Sequence, residues 1–221
     1  MRQEDIRNEQ AEQENKEREE IIERILNEKG KNAFDDMIKL LSDEDPKVCD
    51  IATEVLYRLS ENYEEVKEKL KDTIKQRILS GVKNDVSLLY LIDLAGDLGL
   101  KLGNELLKAL ELYDFEEAQL VIYEALAKLE RGEEFYPLLR YMLLEGEERF
   151  MYGAQVAMVL SYLDIPEIVH DLVQAIDSGD FKGEDLETIK QALSNVINLR
   201  PSYKEILIAL VGEDNFEKYV R

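Results

Sequence analysis

The residues most able to do chemistry are few in this chain, and their spacing supports no catalytic or metal site. His170 is the single histidine, and with Glu167 it forms a Glu-x-x-His pair of the kind that holds di-iron centres in helical bundles. Such centres need two of these pairs, and zinc sites need more Cys and His ligands than Cys49 and His170 provide. A nucleophilic triad would have only His170 as its base, with no Gly-x-Ser-x-Gly turn to serve. We therefore predict a protein that is not an enzyme and that holds no metal and no cofactor.

Two glycine-containing segments resemble ligand-binding loops only superficially. Gly96, Gly99 and Gly103 follow a predicted helix rather than a strand, and they lack the Gly-Lys-Ser/Thr ending of a phosphate loop. The segment 177–183 fails the calcium-loop pattern at its third and fifth positions. We interpret the glycines as a helix stop followed by a turn, and segment 177–183 as a long connection between helices.

The charge of the chain limits its partners. Twenty-eight Lys and Arg residues against 49 Asp and Glu residues give a net charge of −21, which repels nucleic-acid phosphates and anionic lipids. No run approaches the roughly 20 apolar residues that a membrane helix needs, and the charged N-terminus is unlike a secretory signal. A single cysteine fits a reducing compartment, so we expect a cytoplasmic protein. Any partner attracted by this negative charge would be basic. The abundance of Lys and Glu resembles the composition of thermophile proteins.

Apolar residues recur at intervals of three and four positions, which predicts helices throughout and no strands. Residues 1–30 begin as a charged arm or helix and end in a short apolar stripe that should dock on the next hairpin. Residues 35–62 read as two helices joined by an acidic turn, where Asp45 can cap the second helix and Pro46 can begin it.

The pattern of the second helix of this hairpin recurs along the chain. It places apolar residues at the first, fourth, fifth and eighth positions, and each copy is separated from the next by another apolar helix and a turn. The last positions of the five copies are Leu59, Leu98, Leu129, Leu163 and Val196. The residues expected in the seam within each helix pair include Leu56, Leu126, Leu160 and Leu193.

The first copy resembles a HEAT repeat of the shorter, armadillo type. The resemblance rests on Leu41-x-Asp43-x-Asp45-Pro46-x-Val48 followed by Ala52-x-x-x-Leu56-x-x-Leu59. Later copies share only the length and the helix pattern, because they lack the Asp-Pro turn. Cys49 stands where many such repeats carry Arg.

The resemblance implies an all-α protein with a right-handed α–α superhelix, or solenoid, of about five HEAT-like helix pairs after the charged N-terminal segment 1–30. An irregular helical bundle is the alternative. The solenoid would cover residues 31–221, with units at about 31–62, 63–101, 102–131, 132–164 and 165–199 and terminal helices in 200–221.

In a HEAT-like array the second helices of the pairs line a concave face, and this implies a set of binding positions. The residues that point away from the seam are Glu54, Arg58, Asp93, Asp97, Tyr123, Glu124 and Tyr162. Tyrosines at such positions can anchor a partner, and the carboxylates would select a basic one. The three middle second helices are apolar on every side. They are therefore either buried in a tightly wound superhelix or exposed in a groove.

We predict a non-enzymatic scaffold that binds a protein partner on this concave face. Two alternatives stay open. The first is a self-associating structural protein that forms a homodimer. The second is an enzyme or chaperone-like subunit that holds a ligand in the apolar groove.

Overall fold

The computed structural model describes the backbone of residues 3–220 and the side chains of residues 11–220, and this part of the chain contains helices and turns without strands. The prediction of an all-α protein is confirmed. Residues 1, 2 and 221, at the ends of the predicted N-terminal segment and terminal helices, lie outside the described residues, as do the side chains of residues 3–10. The chain divides into two compact units, Met1–Leu94 and Ala95–Arg221.

The first unit is built around one central helix, α3. Its helices are α1 (Gln3–Lys29), α2 (Phe34–Leu40), α3 (Pro46–Asn62) and α4 (Glu64–Ser80), and α5 (Val86–Asp97) begins in it. Helices α1, α2 and α4 all pack against α3, which buries Leu56 and Leu59 completely. Ile22 of the predicted apolar stripe is the fully buried anchor of α1.

The acidic turn of the first hairpin has the predicted chemistry. Pro46 begins α3, and the Asp45 carboxylate accepts a hydrogen bond from the backbone N–H of Lys47 at 2.9 Å. Cys49, one helical turn further on, is buried, and its Sγ lies 3.5 Å from the carbonyl oxygens of both Leu40 and Asp43. The thiol therefore links the end of α2 and the following turn to the first turn of α3.

The second unit contains the helices that follow α5, and several of them pack against each other in pairs. Its helices after α5 are α6 (Gly103–Ala109), α7 (Glu116–Lys128), α8 (Tyr136–Leu144), α9 (Arg149–Tyr162), α10 (Glu167–Asp177), α11 (Glu184–Leu199), α12 (Lys204–Val211) and α13 (Phe216–Tyr219). Helix α6 packs on α7, α8 on α9 and α10 on α11, while α9 also packs on both α7 and α11. Leu126, Leu160 and Leu193 are fully buried in these contacts, as the spacing predicts.

Short 3-10 helices connect several of these elements, at Gly30–Ala33, Leu110–Leu112, Glu133–Phe135, Pro201–Tyr203 and Glu213–Asn215. The predicted helix stop after α5 is also present. Helix α5 ends at Asp97, Gly99 has a positive φ of 62°, and α6 begins at Gly103.

Two glycines in the second unit permit close packing that a larger residue would prevent. A Cβ on Gly96 would lie 2.9 Å from the Cα of Ala125, so the end of α5 approaches α7 closely. A Cβ on Gly153 of α9 would lie 2.5 Å from the ring of Phe181. Phe181 is buried and belongs to the connection 177–183, which it fastens to the core.

Candidate functional site

Arg58 and Glu54, two of the predicted binding residues, are engaged inside the first unit. The Arg58 guanidinium lies 2.6 Å from Glu54 on the same helix and 2.7 and 3.2 Å from Glu19 and Glu23 of α1. The hydrogen bonds to Glu19 and Glu54 raise the pKa of Arg58 above its usual value. The hydrogen bond from Arg58 in turn lowers the pKa of Glu19. The charged helix α1 thus occupies this side of α3.

Asp97, Glu124 and Tyr162 are brought together in the second unit around Lys128. The Lys128 ammonium lies 2.7 Å from Asp97 and 2.9 Å from Glu124, and it sits 5.3 Å from the centre of the Tyr162 ring. Burial raises the pKa of Tyr162, although the positive charge of Lys128 opposes this effect. Lys128 therefore balances part of the negative charge that we expected to face a basic partner.

The last two predicted residues lie elsewhere. Asp93 is half-buried on α5, within the first unit. Tyr123 is buried on α7, where its ring packs on that of Phe135 with 4.7 Å between the ring centres, and burial raises its pKa. Because neighbouring helical residues point about 100° apart, Tyr123 and Glu124 face different sides of α7.

Tyr123 lines a groove of about 400 Å³ in the second unit. Its walls are formed by α7, α8, the turn between α8 and α9, and the start of α9. Apolar and aromatic side chains form most of its surface: Leu120, Tyr123, Leu138, Tyr141, Met142 and Tyr152. Leu120 and Tyr123 are buried, whereas Leu138 and Tyr141 of α8 are 45% and 52% exposed. Large apolar side chains therefore face solvent in a concave site, which is a common feature of binding surfaces.

The sequence of α8 explains why apolar residues reach this groove. Leu139 and Leu143 are four residues apart and bury one face of the helix in the core. Leu138, Tyr141 and Met142 follow the same helical spacing on another side, and they line the groove. This helix is thus apolar on two faces, and only one of them is buried.

A buried carboxylate holds α8 in its orientation. Asp171 of α10 is buried and accepts a hydrogen bond from the Tyr136 hydroxyl at 2.6 Å and one from the Arg140 Nε at 3.1 Å. Burial and the bond to Asp171 raise the pKa of Tyr136. Both donors are on α8, so they fix the side of this helix that faces the groove.

The rim of the groove is acidic. Glu116, Glu147 and Glu148 line it, and Glu117 accepts a hydrogen bond from the Tyr152 hydroxyl at 3.1 Å, which raises the pKa of Tyr152. Among the described lining residues, Arg149 carries the sole positive charge.

Arg149 is already paired within the second unit. Its Nε lies 3.1 Å from Asp180, and its guanidinium stacks 4.4 Å from the centre of the exposed Phe150 ring. Met151, beside it on the first turn of α9, is also exposed. The groove therefore combines apolar surface with uncompensated negative charge, and it is suited to a ligand with both apolar and cationic groups.

No metal site accompanies the groove in the part of the chain whose side chains are described. Over the side chains that the structure describes, no group of three or more His, Cys, Asp and Glu residues is placed to hold a metal ion. His170 is exposed on α10. Between residues 3 and 220, none of the helices has the length and apolar character needed to cross a membrane.

Comparisons of the chain with family models, with curated proteins and with solved structures find no match. Of the seven predicted residues, Tyr123 lines the groove, while Leu138 and Tyr141 were not among them. The signal that points to these two is the surplus of apolar residues on the short helix α8, beyond those needed for one buried face.

Proposed function

We propose that this chain is a non-enzymatic interaction module that binds a protein segment in the groove between α7, α8 and α9. The observation that carries the proposal is a partly exposed apolar groove with an acidic rim. A segment that complements it has exposed apolar side chains next to Lys or Arg. Such a partner is the basic one expected from the net charge of −21, but the binding residues differ from most of those first expected.

The size of the groove supports a side-chain cluster as its ligand. A volume of about 400 Å³ is at the small end of ligand sites, which span about 300–1,000 Å³. Tyr141 and Leu138 would lose most of their remaining exposure on binding, and burial is favourable by about 25 cal/mol per Å² of apolar surface. Tyrosines in such positions often dominate an interface.

The packing of the second unit supports a HEAT-like arrangement as part of the same proposal. The pairs α6–α7, α8–α9 and α10–α11, with α7, α9 and α11 packed in series, are what a short α-solenoid requires. In this arrangement the groove lies where one pair meets the next. Solenoid proteins commonly use such extended surfaces for binding. A cytoplasmic location is also proposed, and it is supported by the one cysteine, whose thiol is free and buried.

The proposal is tested by selecting ligands from a display library of short random peptides on the immobilised protein. We expect the selected peptides to combine Lys or Arg with large apolar residues. Tyr141→Ala and Leu138→Ala should each weaken their binding at least about tenfold, which corresponds to 1.4 kcal/mol. Both residues are half-exposed, so the variants should keep the fold.

Leu199→Ala is the matched control, because Leu199 is a similarly exposed leucine on α11 outside the lining of the groove. It should bind the selected peptides as the parent chain does. Peptides that bind all three variants equally, or a library that enriches acidic peptides, would contradict the proposal.

A further inference from the structure

The first unit carries an exposed apolar turn between α4 and α5. Leu79 lies near the end of α4, Val82 lies in the connection and Val86 begins α5, and their exposed fractions are 76%, 54% and 57%. Leu79 is the most exposed large apolar side chain in the described part of the chain. We call residues 79–86 the α4–α5 turn. Three exposed apolar side chains within eight residues are a feature that interaction surfaces share.

Hydrogen bonds hold this turn in a defined shape. Arg77 donates to the Ser87 hydroxyl at 2.7 Å, and Ser87 donates to the Asp85 carboxylate at 2.6 Å. Asp85 also accepts from the backbone N–H of Leu88, so it caps the start of α5. Because these bonds join the two ends of the turn, binding should order less of the chain than it would in an untethered loop.

Basic residues flank the exposed apolar side chains. Lys75 lies one helical turn before Leu79, and Lys83 lies within the turn and is exposed. Helix α4 carries five basic residues against four acidic ones, and Lys69, Lys71 and Arg77 are paired with carboxylates. The turn thus presents apolar side chains beside positive charge.

This combination matches the groove of the second unit, which is apolar with an acidic rim. We propose, building on the function proposed above, that the groove of one copy of this chain receives the α4–α5 turn of a second copy. Leu79, Val82 and Val86 occupy the apolar surface beside Tyr141 and Leu138, and Lys75 and Lys83 meet Glu147 and Glu148. A groove of about 400 Å³ has room for two or three aliphatic side chains.

The proposed contact joins two different surfaces, so it is heterologous. After one contact forms, one copy still has an empty groove and the other still has an uncovered turn. Further copies can therefore add, either into a closed ring or into an open chain. This differs from a two-fold symmetric homodimer, which would use the same surface on both copies.

The test uses sedimentation equilibrium on the full chain and on single variants. The parent chain should show an average mass that rises with concentration above the 25.6 kDa of one copy. Leu79→Glu places a charge on the apolar surface of the turn, and Tyr141→Glu places one in the groove. Each substitution should abolish binding by the surface it changes, so each variant alone should stay monomeric. Leu199→Glu, at an exposed leucine outside both surfaces, should associate as the parent chain does.

The decisive sample is an equimolar mixture of Leu79→Glu and Tyr141→Glu. Each variant keeps the surface that the other lacks, so the mixture should form a complex of one copy of each and nothing larger. Circular dichroism checks that both are folded, and Val82→Glu with Leu138→Glu provides a second pair. A parent chain that stays monomeric at every concentration, or a mixture that stays monomeric, overturns the inference.

Peptide binding by the groove and self-association through the α4–α5 turn can be contradicted independently of each other. Leu79→Glu has an intact groove and no turn to compete for it, so the peptide selection is repeated on this variant. Groove-dependent binding of basic, apolar peptides by Leu79→Glu, together with a monomeric parent chain, would keep the proposed function and overturn self-association. Association of the parent chain that neither variant reduces would also overturn the inference.

Discussion

The close packing of Phe181 against Gly153 anchors the connection 177–183 in the core of the second unit. A Cβ at position 153 would lie 2.5 Å from the ring of Phe181, which is buried, so either the ring or helix α9 would have to shift. Gly153→Ala should therefore destabilise the chain by about 1–3 kcal/mol, as overpacking usually does. Urea unfolding measures this loss.

Replacing the ring of Phe181 with a smaller side chain provides the control for that experiment. Phe181→Leu removes the atoms that meet the new methyl group, so Gly153→Ala should cost less in the Phe181→Leu background than in the parent chain. An unchanged unfolding midpoint for the single variant Gly153→Ala would show that the ring is not packed as described.

Tyr203 forms a polar cluster with Asp164 and Arg200, and we expect this cluster to weaken at alkaline pH. The Tyr203 hydroxyl donates to Asp164 at 2.7 Å, and Arg200 donates to the same carboxylate at 2.9 Å. Burial and the bond to Asp164 raise the pKa of Tyr203 from 10 to about 12. A raised pKa means that the hydroxyl contributes stability fully below pH 10 and loses that contribution as the pH rises to about 12.

Tyr203→Phe should be less stable than the parent chain at neutral pH by about 1 kcal/mol, since it loses one hydrogen bond. The difference should shrink between pH 10 and pH 12, where the parent chain loses the same bond. Unfolding free energies of both chains across this range measure the effect. A difference that stays constant through pH 12 would contradict the role of the hydroxyl.

At the scale of elements, α1 is held on α3 by the buried Ile22 and by a network of charges. Arg58 binds Glu19 and Glu23 of α1, whereas the pair Lys47–Glu14 is longer, at 3.5 Å, and both its side chains are mostly exposed. An exposed pair such as Lys47–Glu14 contributes about 0–1 kcal/mol to stability. The Arg58 guanidinium binds several carboxylates at once, so it should hold α1 more strongly than Lys47 does.

Arg58→Gln should therefore increase hydrogen exchange of the backbone amides around Glu19, because that part of α1 detaches more often. Lys47→Gln is the matched control and should leave the exchange nearly unchanged. Equal effects of the two substitutions would show that the Arg58 network does not hold α1.

Most helices of this chain could be predicted from the sequence because they carry a regular spacing of apolar residues, whereas the polar first part of α1 could be predicted only as a charged arm or helix. The side-chain partners could not be predicted. Arg58 points away from the seam of its hairpin, but no pattern within α3 shows that Glu19, 39 residues earlier, lies opposite it. In the same way, Asp97 and Glu124 are acidic in the sequence, and only their distance to Lys128 shows that they share a cation.

The groove was predictable only in part, for a related reason. Tyr123 was expected because it lies on a second helix of a pair, where a HEAT-like array would bind. Leu138 and Tyr141 lie on a first helix, α8, whose exposed side depends on how it packs against α9 and α10. The bonds of Tyr136 and Arg140 to Asp171 contribute to that orientation together with the packing, and they join residues far apart in the sequence.

At the scale of the whole molecule, the charge of −21 opposes folding because it brings many carboxylates together. Salt shortens the range of this repulsion, from about 30 Å at 0.01 M to about 10 Å at 0.1 M ionic strength. The melting temperature at neutral pH should therefore rise with sodium chloride over this range. Calorimetry measures the shift.

The isoelectric point, at about 4.5, supplies the control for the salt experiment. Near that pH the net charge is close to zero, and the same salt should raise the melting temperature much less. A melting temperature that falls with salt at neutral pH would mean that the attractive pairs, such as those of Arg58 and Lys128, outweigh the general repulsion.

The thiol of Cys49 has a consequence for the measurement of motion. Because it is the one cysteine of the chain and its Sγ is enclosed against the end of α2, a thiol reagent reaches it only when the α2–α3 hairpin opens. The rate of alkylation then reports how often this hairpin opens under native conditions. The unaltered chain thus carries its own kinetic probe, in the first turn of α3.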